Sequence, residues 1–265
     1  MRLSEYYHLA VEEAMKIDPR RGAELDLALQ RARKAYEKLD AVGQERFDAD
    51  GLWNPYADSR VLYGDLDLDV ESVLWGVPIT AAECILGPRM HEVMCSSHSL
   101  NHGQVVDACR LLDVPFMCLH QPCDLLGQDF MQRHLDEEGA DRLGDLLDAL
   151  AQLPEYGQAT CECNPPEIYV GSRDRRVGRI AVKFAGGTAA PREMYEQLSR
   201  SGIGTVVCMH LPESHVEEAR KNHVNVVVAS HMASDSLGIN LLADKYEERG
   251  LGIIPCSGYI RVKRN

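Results

Sequence analysis

The chain has 265 residues, 45% hydrophobic and 26% charged, enough to bury a large core as one domain or as two halves sharing one. Its formal net charge of −13 argues against a nucleic-acid footprint, because a phosphate backbone demands basic surface and the basic tail Arg261–Arg264 is too short to reverse the balance. No apolar stretch approaches the roughly 18–20 residues that span a bilayer. The charge-broken start MRLSEYYHLAVEEAMKID does not read as a signal peptide, so a soluble cytoplasmic protein without membrane or nucleic-acid partners is expected.

Leu3, Tyr6, Tyr7, Ala10, Ala14 and Ile17 recur at helical spacing, and Pro19 ends that helix. A second helix is predicted over about 22–41, rich in good formers with a narrow stripe at Leu25, Leu29, Ala32 and Tyr36. Together they form an N-terminal helical arm, residues 1–58. Leu52–Asp65 reads as a turn-rich link in which Asp58 and Arg60 are either functional loop residues or a surface salt bridge. A buried strand follows at 70–79, then a helix capped by Thr80, the strand EVMCSS, the helix GQVVDACRLLD and the strand VPFMCL. Two helical patterns cover 128–139 and 141–152, and 154–166 reads as a loop. EIYVG and RIAVKFA look like a hairpin pair across SRDRRVG. A helix closed by Gly202, then strand, helix, strand, a helix over about 235–248 and a last strand complete the chain. This alternation predicts an α/β fold with one lobe at 59–153 and a second at 154–265.

The two lobes share a pattern. HQPCDLLG (His120–Gly127) and HMASDSLG (His231–Gly238) both read His-x-x-x-Asp-x-Leu-Gly, at an offset of 231 − 120 = 111 residues. At the same offset Val105 meets Val216, Asp107 meets Glu218 and Ala108 meets Ala219, while HSLNH from His98 faces HLPESH from His210 with small gaps. A unit repeated twice predicts a pseudo-twofold pair of lobes, with the two motifs near one another across the axis.

A His at the carboxyl end of a buried strand enters the crevice where α/β sheets bind ligands, and an Asp four residues on shares its helix face. Imidazole and carboxylate suit Zn, Mn, Fe, Co or Ni. His120, Asp124, His231 and Asp235 are four candidate ligands, and His98 and His210 add two more. The bland alternative is a His bonded to a backbone carbonyl and an Asp serving as a cap. His8, His91, His134 and His223 lack such placement and are expected at the surface. Gly186, Gly187 and Thr188 lie between a strand and a helix, as an anion-holding loop or a plain turn. The nine cysteines lack framework spacing and read as buried hydrophobes in a reducing compartment, with Cys161-x-Cys163 and Cys123 as weaker chemical candidates.

The run from Ile180 to Leu242 and the segment MCLHQPCD resemble the Nif-three-like family, often labelled GTP cyclohydrolase type 2. The resemblance covers about residues 70–127 and 178–260 and implies two similar α/β lobes around a dinuclear metal site, in oligomers that are often ring-shaped hexamers built from dimers or trimers. It assigns ligand positions to Asp124, His231 and Asp235, the last replacing the usual Glu, and sets His120 beside the site. The family's adjacent His-His-Pro motif is missing from this divergent sequence. SSHSLNH occupies the nearest region, so either His98 or His102 substitutes, or the site holds one metal or none. The expectation is a metal-dependent hydrolase-like protein with one or two Zn, Mn, Fe or Co ions per chain, His98 as a metal ligand, and His98 and His120 handling protons. Its substrate would be a small nucleotide-like or cyclic molecule. The alternative is a non-catalytic metal-binding or regulatory scaffold forming ring-shaped homo-oligomers.

Overall fold

A computed structural model describes residues 1–90, 93–98, 102–162, 164–185 and 191–264. The chain divides into two compact units, one of Met1–Cys123 with Tyr246–Ile254 and one of Asp124–Lys245 with Pro255–Asn265. The boundary expected at 153/154 lies inside the second unit.

The first unit opens with helices α1 (Leu3–Ile17), α2 (Ala23–Glu37) and α3 (Ala41–Glu45), followed by a 3-10 turn at Ala49–Leu52. α1 is no loose arm. Leu3, Tyr6, Tyr7, Leu9, Ala10, Val11 and Ala14 are buried, and the Tyr246 hydroxyl donates to Tyr6 O at 2.7 Å. α2 buries only Leu25 and Leu29, as its narrow stripe requires. Then come β1 (Ser59–Tyr63), β2 (Ser72–Gly76), α4 (Ala81–Met90), β3 (Val93–Ser96), α5 (His102–Leu112) and β4 (Phe116–Leu119). Thr80 caps α4 as expected. Its Oγ1 accepts from Ala82 N at 3.2 Å, while the Glu83 carboxylate takes the Thr80 N–H at 2.8 Å. β1 overturns the reading of residues 52–65 as a link throughout. SRVLY pairs antiparallel with β4, Ser59 facing Leu119.

Helix α6 (His120–Glu138) starts in the first unit and runs into the second. There follow α7 (Leu143–Gln152), α8 (Pro154–Cys161), β5 (Glu167–Val170), β6 (Arg179–Lys183), α9 (Met194–Arg200), β7 (Ile203–Cys208), α10 (Glu213–Lys221), β8 (Asn225–Val228) and α11 (His231–Glu247). α8 replaces the loop expected from 154. Pro154 opens it with φ already near helical, and Tyr156 and Ala159 anchor it in the core. β9 (Gly252–Cys256) returns to the first unit's sheet beside β2.

The sheets have the same plan, β1-β4-β3-β2-β9 and β5-β8-β7-β6. In each, two parallel strands separated by a helix (β3-α5-β4, β7-α10-β8) lead into a helix whose first residue is the motif histidine. An antiparallel strand lies beside β4 or β8. The repeat therefore extends from eight residues to a whole chain of elements. Val207, Val227 and Ala229 face a core with Leu143, Leu146, Leu150, Tyr156 and Leu237, while Val206 and Val226 face Tyr195 and Ala219 on the other side. Strands covered on both faces read as continuous apolar runs, which is why VVC and VVV take the sheet centre.

The hairpin expected of β5 and β6 does not form. They lie on opposite edges of the sheet, β5 pairing with β8 and β6 with β7. Their connection is pinned elsewhere. Arg173 O and Arg175 O accept the N–H groups of Gly144 and Leu143 at the start of α7, at 2.8 and 2.9 Å. Gly171, at φ +122°, lies so near that an added Cβ would sit 2.6 Å from Leu143 Cδ1. The outer edge of β6 is covered by two glutamines one turn apart on α6. Gln132 accepts from Val182 N at 2.9 Å and donates to Ile180 O at 3.3 Å, and Gln128 Oε1 accepts from Phe184 N and Ala185 N.

Candidate metal centre

In the first unit His98 follows β3. Ser96 Oγ bonds Val77 O and His98 O, each at 3.0 Å, and fixes that turn. The His98 and His120 ring centres are 5.3 Å apart. His120 is buried, with Nδ1 2.8 Å from Asp58 Oδ2. The antiparallel register explains this contact. Ser59 faces Leu119, so the residue before one and the residue after the other come together. Burial raises the Asp58 pKa, but the His120 hydrogen bond and charge, with the Ser59 hydroxyl and Gln121 N–H, outweigh it and hold the carboxyl below its ordinary range. An ionised Asp58 can only accept, so the proton shared between the two sits on His120 Nδ1. Asp58 is therefore not the partner of Arg60, which pairs with Asp48 at 2.8 Å.

In the second unit β7 and β8 run parallel, so the residues after their carboxyl ends meet. His210 and His231 stack with ring centres 5.4 Å apart. His231 opens α11, and Asp235 lies one turn on with Oδ2 3.6 Å from His231 Nε2. The Asp235 side chain is 1% exposed against 37% for His231. Ser234 braces this turn, donating to Ser230 O at 2.8 Å, with the Tyr156 hydroxyl 2.8 Å away. Asp124, equally buried, holds the matching place on α6. The two helices touch backbone to backbone, where an added Cβ on Gly127 would meet Gly238 Cα and N and Ser234 O, each at 3.3 Å. Both aspartates sit one turn before that crossing, so the glycine of the repeated pattern is the spacer that lets the helices carrying them approach. At the end of β6 half-buried Lys183 has its pKa lowered by burial, against the opposing charge of Asp124. A cavity of about 460 Å³, lined by residues 164, 165, 167, 169, 209–211 and 228–231, opens beside His231.

The His231 imidazole nitrogen and the Asp235 carboxylate oxygen, 3.6 Å apart, are a nitrogen and oxygen donor pair of the kind a divalent cation takes. The remaining sequence candidates divide. Gly186, Gly187, Thr188, His91 and Cys163 lie outside the described residues. His102 opens α5. Cys123 is buried and Cys161 exposed. His8 and His223 are exposed, but His134, expected at the surface, is half-buried and stacked on Phe130. His215 is buried edge-on against Tyr195 and packs the core. Asp58 acquires its partner only through strand register, for which the run SRVLY, two polar residues followed by three apolar ones, carries no alternation signal.

No protein-family model matches the sequence, and no curated protein matches it closely enough to count as a relative. Solved structures do resemble it. A NIF3 superfamily protein from Sphaerobacter thermophilus is 24% identical with a TM-score of 0.64, over 88% of this chain and 98% of that one. Reduced HcgD from Methanocaldococcus jannaschii is 12% identical with a TM-score of 0.59, over 84% and 96%. TTHA1606 from Thermus thermophilus is 17% identical with a TM-score of 0.55, over 91% and 98%. No helix among the described residues is long and apolar enough to cross a membrane. Over most of its length the chain shares the fold of the NIF3 superfamily protein from Sphaerobacter thermophilus.

Proposed function

We propose that this chain is a metal-dependent hydrolase-like protein acting on a small nucleotide-like or cyclic substrate, with His231, Asp235 and Asp124 as metal ligands. The observation that carries this reading is the His231–Asp235 pair at 3.6 Å on the first turn of α11. When bound, a divalent ion supplies Lewis acidity, polarising a phosphoryl or acyl oxygen and making water acidic enough to attack near neutral pH. The buried carboxylates fix the donor positions, and the braced turn at Ser230–Ser234 keeps His231 in place. His120, oriented by Asp58, is suited to hold or pass a proton at Nε2. His98, a ligand expected from sequence, keeps that role within the proposal, as does assembly into a homo-oligomer.

The test is metal analysis of protein purified without chelator, beside Asp235→Asn and His120→Ala. Native protein is expected to carry a divalent ion, Asp235→Asn to lose it, and His120→Ala to keep it while losing turnover of phosphate esters, nucleotides or cyclic amides. Metal-free native protein that Mn, Zn, Fe and Co all fail to restore would sink the metal reading. Metal without turnover of any substrate favours the scaffold reading.

A further inference from the structure

We propose that the outer face of α2 docks a second copy of this chain, which inserts the acidic turn between its β1 and β2, Asp65–Asp69. This names a contact for the homo-oligomer reading and rests on it, while owing nothing to the metal site.

α2 buries only Leu25 and Leu29, so one narrow stripe ties it to the first unit. Away from that stripe it carries a second pattern. Leu27, Arg31, Lys34 and Lys38 recur at i, i+4, i+7 and i+11 and share one helix face, with the small residues Ala28 and Ala35 beside them. Leu27 is 45% exposed. All three cations are exposed, and they pair with no carboxylate among the described residues. In a chain whose net charge is −13, this is a local cationic face with apolar side chains set into it.

The turn is its complement. Residues 64–69 are exposed throughout, and Leu66 and Leu68 keep 44% and 37% of their surface in water. Asp65, Asp67 and Asp69 alternate with them. The backbone here is pinned. Leu66 O and Leu68 O accept from Ser4 N and Leu3 N at 3.0 and 2.9 Å, and Asp65 Oδ1 accepts from Asp67 N at 2.9 Å. A turn held in this way presents its leucines without the ordering cost of a loose loop. Of the three aspartates, Asp67 alone has an ion-pair partner among the described residues, the exposed Arg2 at 3.2 Å.

Charge and polarity pattern select the occupant. Leucines flanked by carboxylates match a leucine and alanines flanked by cations, with apolar groups at the centre of the contact and opposite charges around them. A nucleic acid or an anionic membrane would meet the cations alone and be repelled by the acidic remainder of the chain. Helix face and turn are different patches, so each copy can give its turn to one neighbour and its helix to another.

Sedimentation velocity of native protein at low and high salt is the test, beside two charge-reversed variants. One carries Arg31→Glu, Lys34→Glu and Lys38→Glu. The other carries Asp67→Lys and Asp69→Lys, which leaves the Asp65 contact of the turn in place. Native protein should associate, and salt should weaken the association. Each variant should associate at least about tenfold less tightly. An equal mixture of the two should regain native association, because the acidic turn of the first meets the basic helix of the second, and the basic turn of the second meets the acidic helix of the first. Leu66→Ser with Leu68→Ser should weaken association and leave its salt dependence in place. All of these side chains are exposed, so melting curves should match native protein and show that each variant folds. Oligomers that both reversals leave intact refute this contact alone, whereas native protein that stays monomeric refutes the homo-oligomer reading as well. Reversed variants that fail to associate when mixed overturn the charge match. Binding of native protein to phosphatidylserine vesicles, lost on reversal of α2, would overturn it in favour of a membrane surface.

Discussion

Gly127→Ala tests the crossing of the two helices that carry Asp124 and Asp235. Two effects of opposite sign compete. Alanine in a helix interior is favoured over glycine by about 0.8–1.0 kcal/mol. Against this, the new Cβ would lie 3.3 Å from Gly238 Cα, Gly238 N and Ser234 O, all of them backbone. Those contacts are a few tenths of an ångström inside the ~3.5–4.0 Å optimum, and backbone cannot rotate away as a side chain can. Overpacking of this kind costs about 1–3 kcal/mol. The net expectation is a loss of up to about 2 kcal/mol, read from urea unfolding. Gly103→Ala in the first turn of α5 is the steric control, because nothing lies within 4 Å of its added Cβ and no loss from overpacking should appear there. Metal affinity of Gly127→Ala should also fall, since moving the helices apart moves Asp124 from Asp235. A variant stabilised by about 1 kcal/mol, like an unobstructed glycine-to-alanine change, with native metal affinity, would refute the reasoning.

Other expectations follow from single contacts. Asp58 has a lowered pKa in the folded chain, so its stabilising contribution is present above the ordinary Asp range and is lost as pH falls through the folded value. Native protein should therefore exceed Asp58→Asn in stability near neutral pH, with the difference closing in acid; a pH-independent gap in melting temperature would contradict this. Gln132→Ala removes the caps on Val182 N and Ile180 O and should cost about 1–3 kcal/mol for two hydrogen bonds, with faster hydrogen exchange at Val182 as the readout. Asn240 donates to Glu155 and Ile260 O and accepts from Tyr259 and Val262 N. Asn240→Ala should cost about 2–4 kcal/mol through stranded buried groups and make residues 257–264 sensitive to limited proteolysis. Unchanged cleavage would show that the tail is held by other contacts.

The repeat was readable because it is carried by side-chain identity. His, Asp, Leu and Gly recur at one offset, and both helices do begin at the motif histidine. Periodicity alone also located α1, α2, α5, β3, β4, β7 and β8, whose burial is a local property of the pattern. The misreadings share one cause. Alternation says that a segment is a strand but never names its neighbour, so β5 and β6 looked like a hairpin although the sheet places them on opposite edges. The same gap hid the Asp58–His120 contact, which depends on β1 lying antiparallel to β4 in one register.

Sequence by itself determined the α/β class, the duplication and the residue types capable of holding a metal, because composition, period and donor chemistry are written in the order of residues. Tertiary structure alone decided which carboxylate His120 meets, why the first motif ends in glycine, and which residues surround the cavity beside His231. Those are properties of approach between segments distant in sequence, set by strand register and helix crossing rather than by any local preference.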